Sequence, residues 1–319
     1  MLCSNKLSVC LRMCLQTSPN LQWEWRKGKD MPFGMGGYPQ AVVVKGKAYI
    51  GGGNAYSDEE GKTVIVYDPQ QDSYEKLPLY SHKYFSMAAV NNQLVLIGGE
   101  DAKTSKKTNK LGVWNKSWTH PFPPMKRVCC SPAVATYDKW LVVVGGWGDE
   151  GKLSIVQILD TIEGQWYLGP SLPQPYFAGV FARADSVSYL LGGYSQEGES
   201  KHVFSVSLDE LVLDLSKSNQ AGAGSLPMST SPSPWKKLHK TPHANSTALV
   251  HGGALLAIGG AYGVSEIFLY RPSSGWIEAG SLPSPRSHCA CTVLPSGEVF
   301  VAGGSGKEQR SQVDIALVK

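Results

Sequence analysis

A chain of 319 residues can bury about three quarters of the surface it exposes when unfolded, so it needs neither a disulfide framework nor a structural metal to hold a core. Its 35 glycines, 20 prolines and 42% hydrophobic content fit a turn-rich all-β protein, and a net charge of +4 without a basic stripe argues against a nucleic-acid partner. Seven cysteines, an odd number with no C-x-x-C pair, point to reduced thiols and not to disulfides or zinc, and no apolar run reaches the roughly 18 residues of a membrane helix.

Residues 1–20 carry no repeating pattern and read as a tail. Their apolar patches at 7–15 are interrupted by Arg12 and followed by no small-residue cleavage site, so no signal peptide is expected; with reduced thiols, this predicts a cytoplasmic protein. Leu21-Gln22-Trp23-Glu24-Trp25 then reads as an aromatic strand with no glycine pair before it. The first full unit follows, with strands at 40–44, 48–51, 63–67 and 74–76, and a second runs over 85–118, its loop 101–110 holding four lysines. The third unit, 131–167, shows the pattern most clearly. A β-branched apolar run at 141–144, too short for a helix, stops at Gly145-Gly146; a second run at 153–159 and a turn lead to Trp166. The fourth unit begins at Ala178, and its end is displaced by a segment at about 208–234, dominated by Ser, Gly and Pro from Ser216 onward. Such a composition buries too little apolar area to order itself, so a flexible insertion with a short helical start at 208–215 is expected. Trp235 restores the register, the fifth unit spans 246–276, and the sixth begins near His288 and ends with a third strand at 313–317.

An apolar-Gly-Gly triplet marks each unit, at Ile50-Gly51-Gly52, Ile97-Gly98-Gly99, Val144-Gly145-Gly146, Leu191-Gly192-Gly193, Ile258-Gly259-Gly260 and Ala302-Gly303-Gly304, with first glycines separated by 47, 47, 47, 67 and 44 residues. An aromatic follows each of the first five pairs: Tyr74, Trp118, Trp166, Trp235 and Trp276. A strand-only unit repeating near this period points to propeller blades. One end of the chain lacks the strand that the other has spare, so the N-terminal strand is expected to complete the last blade and remove the open edges. The glycine pair should sit where backbones converge, and the aromatic should fill the outer wedge between blades.

The unit resembles the Kelch repeat, with its strand ending in Gly-Gly, its apolar third strand (Val66-Tyr67-Asp68, Ile158-Leu159-Asp160) and its fourth-strand Trp, over residues 21–319. The resemblance implies a six-bladed Kelch-type β-propeller like that of the BTB-Kelch ubiquitin ligase adaptors, here without a BTB region in the 20 residues before the repeats. It also implies a protein-interaction module, a substrate receptor or scaffold, with a link to a cullin or to actin. Enzymes on Kelch-like propellers include copper oxidases, sialic acid mutarotases and iron-dependent specifier proteins. The Glu-x3-Asp-x3-His triad of the latter is absent, as are H-E-x-x-H and G-x-S-x-G, so no catalytic residue, metal or cofactor is assigned. A mutarotase-like carbohydrate enzyme at the channel mouth stays open as the alternative.

In a four-stranded antiparallel blade, the loop after Gly-Gly and the loop leading into the next blade lie at one end. The first set supplies Tyr56, Lys106, Trp147, Tyr194 and Tyr262, and the second His82, Tyr84, Arg127, Tyr176, His243 and Arg286. Tyr, Trp and Arg dominate interface hot spots, and the cationic members suit an acidic peptide or protein, so these residues form the candidate binding face.

Overall fold

The computed structural model describes residues 21–53, 57–213, 233–261, 263–305 and 310–319. Among them the strands form six four-stranded antiparallel blades, each running from an innermost first strand to an outermost fourth. Blade 1 comprises Gln40–Val44, Lys47–Gly51, Val64–Asp68 and Ser73–Lys76; blade 2 comprises Ser86–Val90, Gln93–Ile97, Leu111–Trp114 and Trp118–Thr119. Blade 3 is built from Ala133–Tyr137, Trp140–Val144, Val156–Asp160 and Gln165–Gly169, and blade 4 from Val180–Ala184, Val187–Leu191, Phe204–Ser207 and Lys236–Lys237. Blade 5 takes Thr247–His251, Ala254–Ile258, Glu266–Arg271 and Gly275–Ser281. Blade 6 takes Ala290–Val293, Val299–Ala302 and Val313–Val318 and borrows Trp23–Lys27 as its outermost strand.

That borrowed strand closes the ring as its sequence position requires. Trp23 pairs with Val318 and Lys27 with Asp314, and the Gln22 and Lys319 amides each donate to the other's carbonyl, at 3.1 and 3.0 Å. The first strands lie side by side around the axis, with blade 6 against blade 1.

The second strands are mostly apolar because both of their faces are covered. In blade 2, Leu94 and Leu96 pack into the junction with blade 1 while Val95 and Ile97 pack into the junction with blade 3. Six apolar clusters result, one at each blade junction. The outer aromatics join these wedges and also donate to the strand-to-blade link behind them. Trp118 Nε1 bonds Pro78 O (2.8 Å), Trp166 bonds Pro123 O (2.8 Å), Trp235 bonds Pro170 O (3.0 Å) and Trp276 bonds His239 O (3.1 Å). Tyr74 Oη bonds Lys29 O (2.7 Å), and Trp23, from the borrowed strand, bonds Ala279 O (2.6 Å). Each blade is thus latched to its predecessor by one aromatic side-chain donor.

In blade 1 the glycine register is one residue later than expected. Gly52 and Gly53, with φ of 72° and 76°, occupy the left-handed positions that Gly98 and Gly99 hold in blade 2, whereas Gly51 is part of the second strand. The helix expected at the start of the insertion is present over Leu208–Leu213; Leu208 and Leu211 are fully buried at the junction of blades 3 and 4, and Tyr137 donates to Asp209 at 3.0 Å. The remaining insertion (214–232) and the tail (1–20) lie outside the described residues. No helix among the described residues is long and apolar enough to cross a membrane.

Candidate functional site

The loops after Gly-Gly and the loops between blades do form one face, and backbone pairing joins them. His82–Lys83 pairs with Glu100–Asp101, Cys130 bridges to Trp147, Phe177 to Tyr194 and Ser287 to Ser305. Nearest the axis, each inter-blade loop places one non-glycine residue at positive φ: Tyr38 (66°), Tyr84 (57°), Ser131 (47°), Ala178 (52°), Asn245 (60°) and His288 (53°). A left-handed L-residue costs roughly 1–2 kcal/mol, and here the conformation is held by a relay of backbone bonds around the axis. Ser131 N donates to Tyr84 O (2.7 Å), Ala178 N to Ser131 O (2.9 Å) and His288 N to Asn245 O (3.4 Å).

This ring narrows the channel mouth to a cavity of ≈ 30 Å³, lined by Tyr38, Gln40, Ser131, Asn245 and His288 among others, which holds the centres of about two waters. Below it, between the first strands, the channel widens to ≈ 270 Å³. Tyr38 donates to Asn245 Oδ1 at 3.4 Å, and His288 shares a hydrogen bond with Ser305 through Nδ1 at 3.2 Å.

An aromatic ridge crosses the face from the rim to this mouth. Trp147, 38% exposed, meets Phe177 edge-on at 4.9 Å; Phe177 stacks on Tyr194 at 5.1 Å; Tyr194 lies 5.7 Å from Tyr38, and Tyr38 3.9 Å from His288. Lys152 Nζ sits 5.7 Å over the Phe177 ring. Beside the ridge is a basic flank. The Met125 amide bonds Asn109 O (2.7 Å) and Asn109 Nδ2 bonds Met125 O (3.0 Å), which brings exposed Lys110 next to exposed Lys126 and Arg127. The two-way bond between Cys130 and Trp147 (2.8 and 3.0 Å) carries that flank up to the ridge.

Comparison with known proteins agrees with the fold. The Kelch motif family model matches residues 129–173, from the loop leading into blade 3 through its outer strand. Kelch-like protein 35 of Mus musculus is 26% identical over 78% of the chain, and Alpha-scruin of Limulus polyphemus 22% identical over 83%. The chain spans 40% and 30% of the length of these two curated relatives. The solved structure of YjhT superposes with a TM-score of 0.69, covering 92% of this chain and 99% of that one at 13% identity, a likeness of fold. The chain is a Kelch-repeat β-propeller.

On this Kelch propeller the residues expected at the binding face divide into three groups. Trp147, Tyr194, Tyr84, His82, His243, Lys106 and Arg127 are exposed or half-buried on the loop face. Arg127 has its backbone clamped by buried Gln157, whose Oε1 accepts from the Arg127 amide at 2.8 Å, leaving the guanidinium exposed. Tyr56 and Tyr262 lie outside the described residues.

Tyr176 and Arg286 are corrections. Tyr176 is 1% exposed, packs at the junction of blades 3 and 4, and reaches His202 O at 3.5 Å; burial pushes its phenol pKa up. Arg286 is also 1% exposed, ion-paired with Asp314 and donating to Gly303 O (3.4 Å), Gln312 O (3.3 Å) and Ser284 Oγ (3.1 Å), so it braces blade 6. The ridge member Phe177 is not among the expected contact residues. The signal for Phe177 was its place beside Tyr176: neighbours in an extended segment face opposite ways, so an inward Tyr176 turns Phe177 outward.

Burial lowers the His288 pKa from 6.5 to about 4. The unfolded chain therefore takes up this proton at a higher pH than the folded chain, so the stability is complete above 6.5 and is lost as the pH falls toward 4. The effect is worth up to about 3 kcal/mol across that window. His288→Gln is expected to flatten this part of the pH–stability curve in urea titrations; a slope identical to that of the parent would mean the imidazole charges freely in the folded ring.

Proposed function

We propose that this propeller is a non-enzymatic protein-interaction module that holds an acidic segment of a partner protein across its loop face, acting as a substrate receptor or scaffold. The observation that carries this reading is the pre-ordered ridge of Trp147, Phe177 and Tyr194 running beside the Lys110, Lys126 and Arg127 flank. Stacked rings present apolar area at little entropic cost, and adjacent exposed cations select acidic side chains and speed encounter. The ≈ 30 Å³ mouth has no room for a sugar ring, which weighs against a carbohydrate-modifying enzyme there.

The test is proximity labelling in cells with the intact chain, comparing it with Trp147→Ala/Arg127→Ala. Because loss of a hot-spot residue costs about 2 kcal/mol or more, the double variant is expected to lose its principal partners by roughly thirtyfold while keeping the parent melting temperature. An unchanged partner set would remove this face from consideration.

A further inference from the structure

The two ends of the aromatic ridge carry opposite charge. Its Trp147 end lies beside the Lys110, Lys126 and Arg127 flank, whereas its inner end lies beside a carboxylate. The short hairpin after Gly192-Gly193 pairs Tyr194 with Glu199, and opposed residues of an antiparallel pair project to the same side, so the exposed Glu199 side chain stands next to the Tyr194 ring. Lys152 Nζ pins this hairpin by donating to Ser195 O at 2.5 Å. The Glu199 carboxylate makes no ion pair or side-chain hydrogen bond among the described residues, and it lies close enough to His288 for its charge to act on the imidazole.

The channel mouth next to it holds a second polar group left without a partner. His288 is 8% exposed and lines the mouth cavity; the Tyr38 ring lies 3.9 Å from its ring, its Nδ1 shares a hydrogen bond with Ser305 Oγ, and its Nε2 is buried with no hydrogen-bond partner among the described residues. A buried polar atom is costly to leave unmatched, so Nε2 marks where an atom from outside the chain is wanted. Three features define that atom. Glu199 and the faces of Tyr38 and Tyr194, 5.7 Å apart, attract a cation. Nε2 accepts a hydrogen bond when Nδ1 carries the proton and donates to Ser305 Oγ, so the arriving group is a donor. The ≈ 30 Å³ of the mouth holds about two water centres, which suits a compact ammonium and not a planar guanidinium.

We infer that the channel mouth seats the ammonium of a lysine side chain from the bound segment. The ammonium donates to His288 Nε2, lies against the Tyr38 and Tyr194 rings and pairs with Glu199. The partner therefore runs along the ridge in one direction, with acidic residues over the Lys110, Lys126 and Arg127 flank and its lysine at the axis. This inference rests on the loop face being the protein-binding face and adds a polarity to it: a purely acidic segment satisfies one end of the ridge and is repelled by Glu199 at the other.

The test pans a random peptide library against the intact chain and keeps the peptides whose binding is lost in Trp147→Ala. These are expected to carry acidic residues toward one end and a lysine toward the other. Replacing that lysine by uncharged norleucine should weaken binding about tenfold or more, and arginine should fail to restore it. Peptides that bind through Trp147 but are indifferent to the lysine would overturn the inference while leaving the face as a protein-binding surface; a library yielding no Trp147-dependent peptide would remove both. A second measurement needs no peptide. Titrating n-butylammonium into the intact chain should shift the His288 imidazole nitrogen resonances saturably, with their assignment taken from His288→Gln, whereas butyrate should leave them in place. Binding of n-butylammonium should be about two- to fivefold weaker in Glu199→Gln. Resonances unmoved by n-butylammonium, or moved equally by butyrate, would mean that the mouth holds water only and would equally defeat the lysine seat.

Discussion

Arg286→Ala is expected to lower the stability of the propeller by about 3–5 kcal/mol, because it leaves the Asp314 carboxylate buried without its countercharge. Asp314 is 2% exposed, and besides Arg286 its oxygens accept only longer bonds from Gln312 Nε2, at 3.3 and 3.4 Å. The guanidinium also reaches Ser284 in the inter-blade loop and the carbonyls of Gly303 and Gln312 in blade 6, so its loss disconnects that loop as well. Arg286→Lys should recover only part of the loss, since an ammonium cannot serve these acceptors in one plane. The decisive comparison is Arg286→Met/Asp314→Leu, which removes both charges and should be markedly more stable than Arg286→Ala in urea titrations. If Arg286→Ala alone costs under about 1 kcal/mol, the pair does not brace blade 6.

Gly98→Val is expected to be of similar severity. Gly98 has φ of 65°, and a Cβ there would lie 2.2 Å from the Cys129 carbonyl oxygen, in the backbone of the next inter-blade loop. Left-handed strain of roughly 1–2 kcal/mol combines with an overpacking cost of about 1–3 kcal/mol, and the collision is with backbone that cannot rotate away. Gly46 provides the control. It too is left-handed, at φ of 84°, but nothing lies within 4 Å of its would-be Cβ. Gly46→Asn should therefore cost about 1 kcal/mol or less, since Asn tolerates this conformation. Equal losses for the two variants would show that conformation alone, and not the convergence of blades, keeps glycine at position 98.

The ring was legible in the sequence because its determinants are local and repeated. A run such as Leu141–Val144 ending in two glycines specifies a second strand wherever it occurs, and six occurrences with an orphan strand at 21–25 specify closure. In blade 1, three consecutive glycines removed the marker that separates strand from turn, so the register there slipped by one residue. The binding face was legible as a set of loops but not as a set of side chains. Whether a loop residue points outward or into a junction depends on the neighbouring blade, which no local pattern encodes. Tyr176 and Phe177 differ by one position, yet one is sealed between blades and the other anchors the ridge. Arg286 had the composition of a contact residue, but its partner Asp314 lies 28 residues further on, in the third strand of blade 6.

The borrowed strand in blade 6 also dictates when the molecule can be finished. Glu24 and Lys319, ion-paired in the completed sheet, are 295 residues apart in the chain. At ~5–20 residues per second on the ribosome, the first-made strand waits on the order of tens of seconds for its partner. Throughout that interval Trp23 and Trp25 have no sheet to join, and five nascent blades present an open arc with pairing edges that chaperones or other chains can reach. Blade 6 is therefore the last sector to form during synthesis.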